Sequence, residues 1–130
     1  MASQGGVKND QEKPRMSLLP FVALKEVAKI LTFGAEKYAP HNWLLGMDWS
    51  RIESAMLRHY TAYTSGEDID PESGILHMAH LATNALFLLT YQLMNIGNDD
   101  RFKQEKKPIE KRERHFEGFL KSPFEKQEKK

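Results

Sequence analysis

The chain has 130 residues, enough for one domain with extensions, and its 40% hydrophobic and 28% charged residues indicate a globular protein rather than a disordered one. It contains no cysteine, which excludes disulfide scaffolds, thiolate metal sites and cysteine nucleophiles. The net charge is +1, but the charges are unevenly distributed along the chain. Residues 16–100 carry five basic and ten acidic groups, and residues 101–130 carry eleven basic and six acidic groups. The acidic excess of residues 16–100 disfavours binding of this segment to a nucleic-acid backbone.

The first predicted helix follows a flexible lead of residues 1–15, a stretch without a hydrophobic targeting core. The helix is expected to begin at Pro20, because the missing amide hydrogen of proline costs nothing in a first turn. It either continues by a turn beyond Gly34 or stops there, and it ends before Pro40. Apolar residues recur three and four positions apart along it, at Phe21, Leu24, Val27, Ala28 and Leu31.

A second helix is predicted over residues 51–64. Ser50 followed by Glu53 fits a capping box, in which two side chains satisfy amide groups at the helix start. Gly66 is a suitable C-terminal stop. His59 falls on the apolar stripe of this helix, so its ring is expected on the face that packs inward.

The third helix is predicted to be the longest and the most central. Asp70 and Pro71 fit an N-cap and first-turn pair, and the helix would continue to about Asn95, a length of roughly 37 Å at 1.5 Å per residue. Residues 75–94 form the most apolar run of the chain, but this run contains two histidines, an asparagine and a glutamine. It therefore indicates a buried helix and not a membrane span.

Together these elements predict an all-α fold, a small bundle of three core helices within residues 16–98. The charged residues 99–130 form a C-terminal extension, which either folds as a fourth helix or docks on a partner chain. Charges of both signs alternate there, which is more typical of a solvated helix than of a nucleic-acid contact. Because about 85 residues bury little surface on their own, a homo-oligomer is expected.

The polar residues of the third predicted helix form a single row. Ser73, His77, His80 and Asn84 are four, three and four positions apart, so they share one face of a helix. An isolated inward histidine is usually a hydrogen-bonded core residue. Polar groups in register along a buried helix must be paired, however, and this row indicates a lined cavity.

A group of carboxylates lies just before this row, at Glu67, Asp68, Asp70 and Glu72. It is either a capped, solvated loop, in which Asp70 serves as an N-cap and Asp68 is a surface residue, or part of a metal site with the inward imidazoles. We favour the metal site, for which the candidate ligands are Glu67, Asp70, Glu72, His77 and His80.

Other polar and aromatic residues near these segments have two open interpretations. Arg58 either forms a surface ion pair or holds a phosphate, and Lys37 is a second candidate for a phosphate contact. Tyr38, Asn42 and Trp43 are either core and turn residues or a stacking face and an amide for a nucleobase.

Two stretches, KPRMSLLPFVALKEVAKILTFGAEKYAPHNW and RHYTAYTSGEDIDPESGILHMAHLATNALFLL, carry a resemblance that extends from Lys13 to Leu89, about three-fifths of the chain. They resemble the phage dATP/dGTP diphosphohydrolase N-terminal domain family. The resemblance implies a small all-α, MazG-like nucleotide pyrophosphohydrolase of a bacteriophage, which cuts a deoxynucleoside triphosphate between its α and β phosphates. The wider MazG-like group holds magnesium with Glu-x-x-Glu and Glu-x-x-Asp on consecutive helices. This chain lacks such a pair of helical motifs, since its Glu67-x-x-Asp70 falls in a predicted loop.

The residues and the resemblance lead to one hypothesis, the metal-dependent hydrolysis of dATP or dGTP to a monophosphate and pyrophosphate. The expected cofactor is Mg²⁺ or Mn²⁺, with Co²⁺ as a further candidate because imidazole favours transition metals over magnesium. The partner is a purine nucleotide, and the expected location is the cytoplasm, that of the host for a phage protein. The candidate catalytic residues are His59, Glu72, His77 and His80. The candidate substrate-binding residues are Lys37, Tyr38, Asn42, Trp43, Arg58 and Asn84.

Two rival functions remain open at this point. The same polar row could bind a nucleotide, such as a signalling molecule, and sequester it without turnover. The absence of the paired Glu-x-x-Glu and Glu-x-x-Asp motifs from the predicted core helices keeps this interpretation open. Alternatively, the basic residues 101–130 could contact nucleic acid, which would make binding sensitive to salt.

Overall fold

The computed structural model describes residues 5–102. The chain divides into two compact units. The described part of one unit, residues 5–19, contains a short turn of 3₁₀ helix, Met16–Leu18. The described part of the other, residues 20–102, contains the α-helices. The predicted helical extension beyond residue 102 lies outside the described residues.

Helix α1 spans Phe21–Lys37. It passes through Gly34 without interruption and ends where the Tyr38 amide donates to the Gly34 carbonyl, which confirms the longer of the two predicted alternatives. Of the predicted apolar face, Val27 is buried whereas Phe21 is 61% exposed. The inward face of α1 packs against the third helix.

Helix α2 spans Trp49–Thr64 and begins two residues before its predicted start. The predicted capping box is wrong. Asp48 precedes the helix without a side-chain cap, and Ser50 lies inside the first turn, where its amide and hydroxyl both donate to the Asp100 carboxylate. A distant carboxylate thus replaces the local cap. The end of the helix is as predicted, since Gly66 follows it with a φ of 101°.

Helix α3 spans His77–Met94, so the prediction that it opens at Asp70 is wrong. The Asp70 carboxylate accepts hydrogen bonds from the amide and the hydroxyl of Ser73, and Gly74 takes a φ of 73°, which a helix cannot contain. The segment is therefore a turn rather than a first helical turn. The 18 residues of α3 give a length of about 27 Å. The helix ends before Asn95, which has a left-handed conformation.

The hydrophobic core lies between α2 and α3. Its buried members are Trp49, Ile52 and Tyr91, and partly buried residues pack around them. Tyr91 is completely buried, and its hydroxyl donates to the carbonyl of Trp43 in the short 3₁₀ turn Asn42–Leu45. The core therefore fixes the segment before α2 as well as the two helices.

The chain after α3 folds back onto the start of α2. We call these two segments, residues 46–49 and 96–98, the clasp. The Trp49 amide donates to the Asn98 carbonyl at 3.0 Å, and the Asn98 amide donates to the Met47 carbonyl at 3.2 Å. The clasp therefore holds the N-terminal end of α2 against the C-terminal end of α3.

Among the described residues there are three α-helices and no β-strand, only isolated β-bridges. The predicted all-α bundle is confirmed. In this part of the chain no helix combines the length and the apolar character needed to cross a bilayer. The homo-oligomer stays a prediction.

Candidate functional site

Three histidines meet where α2, the loop after it and the first turn of α3 come together. His59 extends from α2 and is partly buried, while His77 and His80 are 4% and 9% exposed. The rings of His59 and His80 are nearly parallel, with centroids 4.4 Å apart. We call His59, His77 and His80 the histidine cluster. Inward packing of all three agrees with the apolar and polar patterns of the sequence.

His77 is hydrogen-bonded through both ring nitrogens. Its Nε2 lies 2.7 Å from a Glu67 carboxylate oxygen, and its Nδ1 lies 2.9 Å from His59 Nδ1. An ionised carboxylate can only accept, so Nε2 of His77 carries the hydrogen. The Nδ1 of a neutral His77 then accepts, and the Nδ1 of His59 donates to it. Glu67 thereby determines the tautomers of both rings.

Asp70 is linked to His80 through Ser73. The Ser73 hydroxyl lies 2.8 Å from an Asp70 oxygen and 2.7 Å from His80 Nε2, and the same Asp70 oxygen is 3.4 Å from that nitrogen. The hydroxyl has one hydrogen, which it donates to Asp70, so Nε2–H of His80 donates to the hydroxyl oxygen. Because Asp70 is held by the Ser73 amide as well, its carboxylate has a fixed position beside the cluster.

The environment favours the neutral form of the His59 and His80 rings and the ionised form of the Asp70 carboxylate. Burial lowers the pKa of His59 and of His80 below the usual 6.5, and Asp70 opposes the shift without reversing it. Burial alone would raise the pKa of Asp70, but hydrogen bonds from Ser73 and the neighbouring His80 hold it below its usual value. Neutral imidazole and ionised carboxylate are the forms that bind metal ions.

The donor atoms of the cluster fit a divalent cation. His59, Asp70 and His77 each offer one ligand atom within 4.8 Å of the other two. The Nδ1 atoms of the two histidines are 2.9 Å apart, close to the separation of about 3 Å that two nitrogens have on one ion with bonds of about 2.1 Å. The spacing of these two nitrogens therefore suits such an ion.

The structure brings two of the predicted metal ligands together and places two others where a ring or a hydroxyl separates them from that group. Asp70 and His77 belong to the set just described. Glu67 lies on the far side of the His77 ring, and His80 reaches Asp70 through a serine hydroxyl. The carboxylates and imidazoles thus converge, but not as one shell of five ligands.

Glu72 faces Lys37 instead of the histidine cluster. The Lys37 ammonium lies 2.7 Å from a Glu72 oxygen, and this hydrogen bond raises the pKa of Lys37. Both side chains are exposed, so the pair is a surface contact that joins the end of α1 to the loop. Arg58 is exposed on α2, next to His59, and its charge adds to the lowering of the His59 pKa.

The structure places Trp43 in the hydrophobic core. Its ring stacks on Phe87, with centroids 4.2 Å apart and planes inclined by 15°, and its carbonyl accepts the Tyr91 hydroxyl. Of the two interpretations left open by the sequence, this is the core and turn arrangement. A nucleobase would have to displace Phe87 to stack on the same face.

The other predicted nucleotide contacts have varied positions. The Asn84 amide donates to the His80 carbonyl one turn earlier in α3, at 2.9 Å, so this group bonds its own helix. Tyr38 is 66% exposed at the end of α1, and Asn42 is exposed at the start of the 3₁₀ turn. These last two are the ones that remain accessible to a solute.

Ser73 is the residue whose role the sequence analysis missed. The sequence predicts Ser73 in the polar row of the third helix, yet it precedes α3 and bridges Asp70 to His80. The signal was present as Asp-x-x-Ser-Gly, because an aspartate followed by serine and glycine favours a side-chain-closed turn as well as a helix start.

The pKa shifts predict how stability depends on pH in the metal-free protein. The folded-state pKa of His59 and of His80 lies below the unfolded value of 6.5, so the unfolded chain binds more protons as the pH falls through this region. The free energy of unfolding should therefore decrease between about pH 7.5 and about pH 5.5. Asp70, His77 and Arg58 also face His59, and Asp70 makes the decrease smaller.

Urea unfolding in a chelator, measured across this pH range, checks the prediction. In His59→Gln the slope should be smaller, because one of the two titrating rings is gone. A free energy of unfolding that rises as the solution is acidified would contradict the assignment of neutral buried rings.

The fold and the cluster define an all-α protein whose candidate site combines imidazoles with carboxylates. Comparison with known proteins then gives the family: the chain belongs to the dATP/dGTP diphosphohydrolase N-terminal family, whose model matches residues 3–101. A dATP/dGTP diphosphohydrolase of Salmonella phage PMBT28 is 34% identical over 96 residues, which are 74% of this chain and 33% of that protein. The chain therefore spans about one third of the length of this relative. No solved structure matches it.

Proposed function

We propose that this chain hydrolyses a purine deoxynucleoside triphosphate, dATP or dGTP, to the monophosphate and pyrophosphate. The family and the name of the phage relative supply the reaction class. The observation that carries the proposal to this chain is the approach of His59, Asp70 and His77 to within 4.8 Å of one another, since it supplies a cation site of the kind that phosphate hydrolysis needs.

The proposed cofactor is a divalent cation, Mg²⁺, Mn²⁺ or Co²⁺, held at the histidine cluster by His59, Asp70 and His77. When bound, such an ion neutralises phosphate charge and makes a bound water more acidic. The protein's own contribution is to present two imidazole rings and one carboxylate in fixed positions. Ser73 and Glu67 provide this order through their hydrogen bonds to Asp70 and His77.

Two cationic side chains are proposed to hold phosphate oxygens. Lys37 is already bound to Glu72 across the space between α1 and the loop, and a triphosphate can replace that carboxylate as its partner. Arg58 is exposed beside His59 and offers a bidentate contact. Both residues are accessible, which an incoming polyanion requires.

The nucleobase is proposed to lie against Tyr38, with Asn42 as an amide partner. Both residues follow α1 and are exposed, and Tyr38 is the neighbour of Lys37 in the chain. A tyrosine ring supplies the flat surface that a purine needs, while an amide can pair with its polar edge. Trp43 and Asn84 would then support the site without contacting the base. Trp43 packs on Phe87, and the Asn84 amide donates to the His80 carbonyl within α3.

We also propose a homo-oligomer. Large apolar side chains remain exposed on the helices, among them Leu57, Leu89 and Leu93, with exposures of 64%, 49% and 56%. Removal of such side chains from water favours association. A second subunit would cover such side chains without altering the histidine cluster, which lies inside one chain.

The experiment is a product assay on the purified full chain. Incubation of dATP, dGTP and dCTP with Mn²⁺ or Mg²⁺ should release pyrophosphate and a monophosphate in equal amounts from the purine nucleotides, as quantified by anion-exchange chromatography. Release of inorganic phosphate and a diphosphate would contradict the proposed cleavage position. Nucleotide binding by calorimetry with no product under any of these conditions would instead support sequestration without turnover.

A further inference from the structure

We propose that the cation is a first-row transition metal bound through two imidazole nitrogens and one carboxylate, and that Glu67 positions His77 without touching the ion. The inference rests on the proposed function for its purpose, but the binding site itself is defined by His59, Asp70 and His77. Of the carboxylates in the acidic loop, Asp70 alone would then contact the ion.

The chemistry of the donor atoms decides the type of ion. Mg²⁺ prefers six oxygen ligands and releases its waters reluctantly, so it is poorly matched to two ring nitrogens. Imidazole is a good ligand for Fe²⁺, Ni²⁺, Cu²⁺ and Zn²⁺, and Co²⁺ lies between Fe²⁺ and Ni²⁺ in the same affinity order. Two of the three converging donors are imidazoles, and both come from buried or partly buried rings. The set therefore favours a transition metal.

The position of Glu67 identifies it as a positioning residue. Its carboxylate accepts from Nε2–H of His77, at the opposite end of the ring from the Nδ1 that faces His59. A carboxylate on the far nitrogen of a metal-binding histidine fixes the tautomer, orients the ring and makes the other nitrogen a stronger donor. The Glu67 side chain is 53% exposed and the His77 side chain only 5%, so the acid lies outside the ring.

Binding of the ion requires a rearrangement of one proton. In the metal-free protein a single hydrogen lies between the two Nδ1 atoms, on His59. When both lone pairs are given to an ion, His59 takes its other neutral tautomer, with the hydrogen on Nε2. The number of protons on the two rings is unchanged, and His77 keeps the hydrogen bond to Glu67. The hydrogen-bonded pair would thus become two ligands without a change in the charge of the two rings.

The test measures metal binding in the absence of nucleotide. The chelator-treated full chain is titrated with Co²⁺, Mn²⁺ and Mg²⁺ by calorimetry, and the Co²⁺ complex is examined for visible d–d absorption. We expect one tight Co²⁺ site per chain, an affinity at least about tenfold higher than for Mg²⁺, and nitrogen ligation. Equal or tighter binding of Mg²⁺ at this site would overturn the inference.

Three variants separate the roles of the residues. His77→Ala should abolish the Co²⁺ site, while Glu67→Gln should retain one site per chain with an affinity about 10- to 100-fold lower. Asp68→Asn removes a charge from the same loop and should bind Co²⁺ as the wild type does. Retained Co²⁺ affinity in His77→Ala, or complete loss of the site in Glu67→Gln, would contradict the assigned roles.

A measurement on the wild-type protein tests the same site without relying on variants that could misfold. In the nitrogen-15 spectrum of the metal-free chain, His77 should be the Nε2–H tautomer, and Zn²⁺ should shift the Nδ1 resonances of two histidines. Histidine Nδ1 resonances that all stay unchanged when Zn²⁺ is added would overturn the inference. If the ion binds as described and no nucleotide is hydrolysed, the proposed function fails and the site stands. If Mg²⁺ supports hydrolysis and no histidine binds metal, the proposed reaction stands and the proposed histidine site fails.

Discussion

Replacement of Asp70 by asparagine is expected to lower kcat/KM for dGTP hydrolysis by about 100-fold or more. Asp70 supplies the one carboxylate of the proposed ion site, and loss of even an outer partner of a metal ligand costs about 10- to 100-fold. Asparagine keeps an oxygen that can accept from the Ser73 amide and hydroxyl, so the turn before α3 should persist. The variant therefore removes charge with little change of shape.

Asp68→Asn is the matched control for this experiment. It removes the same charge from an exposed position two residues earlier, where the backbone carbonyl, and not the side chain, accepts the His77 amide. We expect its kcat/KM to stay within about threefold of the wild-type value. Activity in Asp70→Asn equal to that of Asp68→Asn would show that hydrolysis does not depend on the histidine cluster. Circular dichroism should show that both variants remain helical.

The general arrangement of the cluster follows from information that is local in the sequence. Helical periodicity places His59 on the inner stripe of one helix, and the three-residue spacing puts His77 and His80 on one side of another. Two inward faces that pack against each other bring such residues together. For this reason the convergence of the imidazoles with the acidic loop could be anticipated before any coordinates.

The hydrogen bonds that determine which partner each polar side chain takes are long-range, and the spacing of residues in the sequence does not predict them. Glu72 is 35 residues from Lys37, and Ser50 is 50 residues from Asp100, so neither pair follows from a local motif. In the sequence, Glu72 therefore looks like the other acidic residues of its loop. Local sequence cannot show whether such a carboxylate is free to bind a metal ion or is paired with a distant lysine.

The start of α3 shows a different limit, that of competing local signals. Asp70 satisfies the rule for an N-cap, but it also satisfies the rule for a turn closed by a side chain. Gly74 decides between them, because its left-handed φ ends any helix that begins at residue 71. The shorter α3 puts His77 at the helix start, where its ring can reach Glu67 in the preceding loop.

Replacement of Gly97 by alanine is expected to destabilise the protein by about 3 kcal/mol. Gly97 has a φ of 75°, and a Cβ at this position would lie 2.4 Å from the Met47 carbonyl oxygen. Neither segment can easily move away, since the Trp49 indole donates to the Ile96 carbonyl at 2.9 Å and backbone hydrogen bonds close the clasp on both sides. Backbone strain and a steric clash therefore act together.

Two further glycines separate these effects in urea unfolding. Gly66→Ala places alanine at a φ of 101° in open space, so it should show the backbone cost alone, about 1 kcal/mol. Gly34→Ala lies inside α1 with no neighbour within 4 Å and should stabilise the protein by about 0.5–1 kcal/mol. A Gly97→Ala midpoint no lower than that of Gly66→Ala would mean that the clasp gives way without cost. The clasp lies at the opposite end of α2 from the loop that contains Asp70. Folded Gly97→Ala should therefore keep the proposed Co²⁺ site, and only the folded fraction should fall.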